Sequence, residues 1–158
     1  MRYSTVLPVA LAVGGLAAIV VGVHQGLVHV APGYEGTIVT GWGGRLNRSE
    51  RLLAGVGAVG VVGTVATLRW RRAAVVPIAG GGVVLFYALR AVYWHVRNTT
   101  LYAETTMYDG DPVVFVLGAE PFLLVVGGLL LVAAGVLGWR RLGRGHDQPT
   151  AGTPPSTV

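Results

Sequence analysis

Two ionisable residues stand inside runs that are otherwise apolar, and they set the chemical question. Arg90 lies in Leu85-Phe86-Tyr87-Ala88-Leu89-Arg90-Ala91-Val92-Tyr93, and Glu120 in Val116-Leu117-Gly118-Ala119-Glu120-Pro121-Phe122. If those runs cross a bilayer, each charge costs about 2.5–3.5 kcal/mol at mid-depth, so it should turn to the bundle interior and meet a partner. Arg90 falls seven residues before Arg97, and Glu120 nine after Asp111. At about 1.5 Å per helical residue, the two come to rest about 10–13 Å below one interface. An Arg90–Glu120 ion pair is therefore expected. As a structural device it would staple two helices. As a functional one it would line a polar cavity for an ion, a proton or a small anion, with Tyr87 beside it. Pro121 favours the cavity, because it lacks a backbone N–H and would leave the Leu117 carbonyl without its helical donor.

Histidines carry the remaining chemistry. His24 closes the first apolar run, His29 follows five residues later, and His95 lies near the end of the third. Imidazoles from two helices can ligate haem iron, and imidazole with carboxylate can hold zinc or copper. A step of five does not keep to one helix face, and no ligand motif is present. His24 and His95 are read as interfacial neighbours of the charged pair, with no metal site. The three serines, Ser4, Ser49 and Ser156, stand in no triad pattern, and the chain has no cysteine. That excludes a disulfide, a thiolate nucleophile and a Cys-ligated metal. No catalytic residue and no cofactor are expected.

The elements that must position these groups are four apolar stretches: Thr5–Val23, Leu52–Leu68, Ala73–Val96 and Pro112–Gly138. Segments of about 20 apolar residues match the hydrocarbon thickness of a bilayer. Charged residues make up 12% of the 158-residue chain, against about 25% in soluble domains. The fold class expected is an all-α integral membrane protein, four transmembrane helices in one bundle spanning residues 1–144. The spans are about 5–23, 52–68, 73–96 and 112–138, with residues 145–158 a disordered tail rich in Pro, Thr, Gly and Ser. The first run exceeds the about 7–15 residues of a signal-peptide core, so it is expected to stay as a helix.

Arginine placement gives the orientation. Arg2, Arg69, Arg71, Arg72, Arg140, Arg141 and Arg144 fall on one side, and Arg45, Arg48, Arg51 and Arg97 on the other. The larger group faces the cytoplasm by the positive-inside rule, giving an N-in, C-in protein of the cell membrane. Trp70 and Trp139 then mark the inner interface, and Tyr93 with Trp94 the outer one. The net charge of +5 sits at the ends of apolar runs rather than in a continuous patch, so no nucleic-acid partner is expected. The longer first outer loop could carry a short β-hairpin over Glu35–Trp42, where β-branched residues alternate with glycines. Two Asn-x-Ser/Thr triplets, at Asn47 and Asn98, also fall in the outer loops.

Small residues suggest the packing seams. Ala10, Gly14, Ala18 and Gly22 recur every fourth position of the first span, and Gly60 and Gly63 precede Thr64 and Thr67 on the second. Such spacing lets helices approach closely, within one chain or between copies. The inner halves of the spans carry little polarity beyond Thr64 and Thr67. A non-enzymatic structural or accessory membrane subunit is therefore the expected role, with a second copy or another membrane protein as partner. Transport of an ion or small solute through Arg90 and Glu120 is the alternative, and a haem or quinone redox protein a weaker one.

Overall fold

The computed structural model describes residues 3–25, 28–30, 47–97, 105–106, 112–113 and 115–143. Its helices are α1 (Tyr3–Gln25), α2 (Arg48–Ala66), α3 (Val75–Arg97) and α4 (Glu120–Gly143). Each is long and apolar enough to cross a membrane. α2 opens on a capping box, in which the Asn47 side chain accepts from the Glu50 N–H at 2.9 Å. The Glu50 carboxylate accepts in return from the Asn47 N–H at 2.6 Å. Two orphan donors are thus satisfied. The Asn47 amide also donates to Glu50 at 2.9 Å, so the nitrogen of the Asn47 triplet is engaged in the cap.

The helices pack as a ring in which α1 meets α2, α2 meets α3, and α4 lies between α1 and α3. Buried positions on α1 are Pro8, Ala12, Gly15, Ile19, Gly22 and Val23, and on α2 Leu53, Gly57, Gly60, Gly63 and Thr64, with Thr67 buried at its C-cap. α3 buries Pro77, Gly81, Val84 and Ala88. Each helix carries a series stepping by four and three, averaging about 3.5 residues, widened by Val23 on α1 and Gly63 on α2, which keeps a seam on one face of nearly aligned helices. The fourfold series expected on α1 does not keep to this face. Each step of four overshoots a turn by about 40°, so three steps rotate the line by about 120°. Gly22 is buried, Gly14 and Ala18 are half-buried, and Ala10 is exposed. Gly60 and Gly63 do lie in the seam, against Leu131 and against Val76 with Pro77.

Adjacent glycines on α4 form the tightest point of the bundle. A Cβ on Gly127 would lie 2.8 Å from the Gly15 carbonyl of α1, and one on Gly15 would lie 2.9 Å from that of Gly127. One residue on, a Cβ on Gly81 of α3 would lie 2.6 Å from the Gly128 carbonyl. Real side chains do not enter such spaces, so these helices touch backbone to backbone, as small-residue seams permit. Around the crossing lie Ile19, Val84, Leu124, Leu131 and Ala134, all at most 1% exposed.

The surface has the opposite character. Phe86 is 70% exposed, Val62 69%, Val96 66% and Phe122 64%. Large apolar side chains thus point outward on α2, α3 and α4, while small ones line the contacts.

Strand pairing joins the connections at the end of the bundle where α1 stops and α4 starts. β1 (Val28–Val30) runs antiparallel to β4 (Phe115–Leu117), with His29 opposite Val116. β2 (Thr105–Thr106) pairs with β3 (Pro112–Val113). Residues 112–113 and 115–117, expected as the start of the fourth span, are therefore strand and not helix. A short apolar run rich in β-branched and aromatic residues reads alike as strand or buried helix. The hairpin expected over Glu35–Trp42, the Asn98 triplet and the tail 145–158 lie outside the described residues.

Candidate functional site

Helix α4 begins at Glu120, and this changes how the charged residues meet. Glu120 does not lie two turns into a helix. It occupies the first turn, 4% exposed, against α1 at Gly22, where a Cβ would lie 3.4 Å from the Glu120 carbonyl. Pro121 falls in that same turn, where its missing N–H has no helical acceptor to serve, so it starts the helix rather than kinking it. Leu117 belongs to β4, so its carbonyl is not one that Pro121 releases from a helix.

Arg90 is exposed on α3, among the exposed Phe86, Leu89, Tyr93 and Trp94. Glu50, at the start of α2, bears electrostatically on Glu120. Among the described residues no salt bridge joins Arg90 to Glu120. The expected pair fails because its geometry assumed a helix from Pro112. Starting at Glu120 removes the depth and turns the carboxyl inward, while Arg90 faces outward. An arginine near a helix end can reach the headgroups along its own stem.

Tyr87 is half-buried against the core cluster and within electrostatic reach of Glu120, Glu50 and Arg90. Glu50, Tyr87 and Glu120 therefore gather at one end of the bundle. The His24 ring nitrogen Nδ1 lies 2.7 Å from the Val20 carbonyl, an approach within its own helix. His95 is half-buried on α3. No group of three or more His, Asp or Glu stands together among the described residues.

The interior beyond this end offers no continuation. Among the described residues, the other buried polar side chains are Thr64 and Thr67. The Thr64 hydroxyl donates to the Gly60 carbonyl at 2.9 Å, and the Thr67 hydroxyl to that of Thr64 at 2.6 Å. Both are satisfied on their own helix, as hydroxyls in apolar surroundings must be. Ile19, Val84, Leu124 and Leu131 fill the space between them and Glu120.

The opposite end carries a feature that the sequence shows only as an orientation signal. Between α2 and α3, Arg69, Trp70, Arg71 and Arg72 are all exposed and line an open groove of about 610 Å³ with Ala73. The loop is tied by its backbone, Trp70 donating to the Ala66 carbonyl at 2.9 Å and Ala73 to that of Trp70 at 3.0 Å. A 3-10 helix, Arg71–Ala74, leads into α3. The Arg71 guanidinium sits over the Trp139 ring, 4.7 Å from its centroid, which brings the two tryptophans expected at one interface to the same end. Tyr93 and Trp94 meet edge to face at the other end, 6.5 Å apart, where Arg97 donates to the Tyr93 hydroxyl at 3.0 Å.

No protein-family model matches the sequence, and no curated protein matches it.

Proposed function

We propose that this chain is a multi-pass integral membrane protein of the cell membrane, N-in and C-in, acting as a non-enzymatic structural or accessory subunit. The observation that carries the reading is the inverted distribution of side chains. Large apolar residues such as Phe86 and Val62 are exposed, while glycines and self-satisfied threonines fill the contacts. In water that surface would be a severe aggregation hazard; in lipid it is the ordinary exterior. The end with Arg69, Arg71, Arg72 and Arg140 faces the cytoplasm, as the arginine balance favours.

Transport is the less supported role. A permeation path needs polar groups that follow one another through the bundle, and the buried Glu120 is separated from Thr64 and Thr67 by close-packed aliphatics. Several seam glycines serve contacts within the chain, including Gly15, Gly60 and Gly127. A partner would meet other surfaces: space is open in front of Gly55 on α2 and Gly82 on α3.

Extraction of the native protein in mild detergent, followed by identification of what co-purifies, tests the role. A stoichiometric membrane-protein partner or a defined homo-oligomer is the expected result. A lone protein that renders liposomes permeable to ions would replace this reading with transport. A purified protein absorbing in the haem Soret region would replace it with redox function.

A further inference from the structure

The Trp70 end of the bundle concentrates positive charge on a fixed loop. Arg69, Arg71 and Arg72 occupy three of four consecutive positions, all exposed. From Arg51 to Ala103 the chain contains no Asp or Glu, and none from Pro121 to His146. No carboxylate among the described residues of this end is therefore available to pair with them. Arg140 adds a further exposed cation from α4, next to Trp139.

The groove is lined by two kinds of surface, cationic and aromatic. The guanidinium groups bind phosphate through paired N–H donors. Trp70, 65% exposed, stands with them, and an indole prefers the headgroup region. Leu68 and Val75, which flank the loop in sequence, are exposed apolar residues. The loop backbone satisfies itself through the Trp70–Ala66 and Ala73–Trp70 bonds. Arg71 is held by its stacking on Trp139. The cations are thus presented by a fixed scaffold rather than gathered by the ligand.

We propose that this groove binds the phosphate headgroup of an anionic phospholipid, with Arg69, Arg71 and Arg72 as ligands and its acyl chains running along the apolar outer surface that begins at the exposed Leu68 and Val75. The site rests on the membrane reading given above. It differs from a general attraction of basic loops to acidic membranes in having a defined place and an aromatic wall.

Native mass spectrometry of the full chain in mild detergent, with equal amounts of phosphatidylglycerol and phosphatidylcholine added, tests the site. The wild type should retain the anionic lipid about tenfold over the zwitterionic one. R69Q/R72Q should bring the two to parity, and the charge-matched R48Q/R97Q, at the other end, should leave the preference intact. W70A should weaken retention without altering charge, and keeps the test open should R69Q/R72Q fail to fold. Equal retention of both lipids by the wild type would overturn the proposal, as would equal losses in R69Q/R72Q and R48Q/R97Q. Displacement of the lipid by inorganic phosphate would also overturn it, assigning the groove to the free anion. A protein that needs no detergent would instead sink the membrane reading beneath it.

Discussion

The two ends of this bundle solve the same problem in opposite ways. At the Trp70 end, α2 and α3 are joined by a few residues whose backbone closes on itself, and Arg69, Arg71, Arg72 and Arg140 are all exposed there. At the Gln25 end, the connections are long, β1 pairs with β4 across two of them, and a carboxyl is folded inward beneath α4. The short end is an electrostatic display on a rigid loop. The long end combines two short strand pairs with a buried acid. Orientation and lipid contact belong to the first, and any chemistry of buried groups to the second. Between them the Gly127–Gly128 crossing holds the helices in a dry core that isolates one end from the other.

The largest expected effect breaks that divide at its centre. Gly127→Leu would drive a side chain into the Gly15 carbonyl and Ile19, whereas Gly55→Leu faces open space. Overpacking of this kind costs about 3 kcal/mol or more, while the outward substitution should stay within about 0.5 kcal/mol. Reversible unfolding in mixed detergent would measure both, and equal effects would refute the crossing. Leu131→Ala, which empties the fully buried wall against Gly60, should cost about 2–5 kcal/mol by the same measurement.

A smaller effect addresses the Gln25 end. Asn47→Ala removes the α2 cap and should cost about 1 kcal/mol, leaving lipid retention at the Trp70 end unchanged. The most delicate comparison concerns Arg90 and Glu120. Because Arg90 faces outward and Glu120 inward, E120Q and R90Q should be additive within about 0.5 kcal/mol in a double-mutant cycle. A larger coupling would restore the ion pair.

Much of the fold was legible in the sequence, because a run of some 20 apolar residues has few alternatives to a helix. Helix count and the small-residue character of the seams followed from that. What escaped depended on where helices begin and how they rotate. Phe115 to Leu117 is as apolar as a span, yet this strand, β4, pairs with β1, a partner more than 80 positions earlier that no local pattern reveals. Misplacing that start by eight residues, from Pro112 to Glu120, moved the acid from mid-helix to the first turn and turned Pro121 from a kink into a helix start. Likewise Ala10 and Gly22 share a spacing but not a face. Arg69, Arg71 and Arg72 were plain in the sequence as orientation markers. Their groove was not, since it requires the 3-10 entry to α3 and the reach of Arg71 to Trp139.

The absence of native cysteine makes one measurement especially direct, because any introduced thiol stands alone. Ser49→Cys places one at the Gln25 end and Arg72→Cys one at the Trp70 end, both at exposed positions. With a membrane-impermeant maleimide on intact cells, Ser49→Cys should react at once and Arg72→Cys only after the membrane is opened. Equal labelling of both in intact cells, or recovery of the protein in the soluble fraction, would contradict a bundle whose exterior is lipid and whose two ends face different compartments.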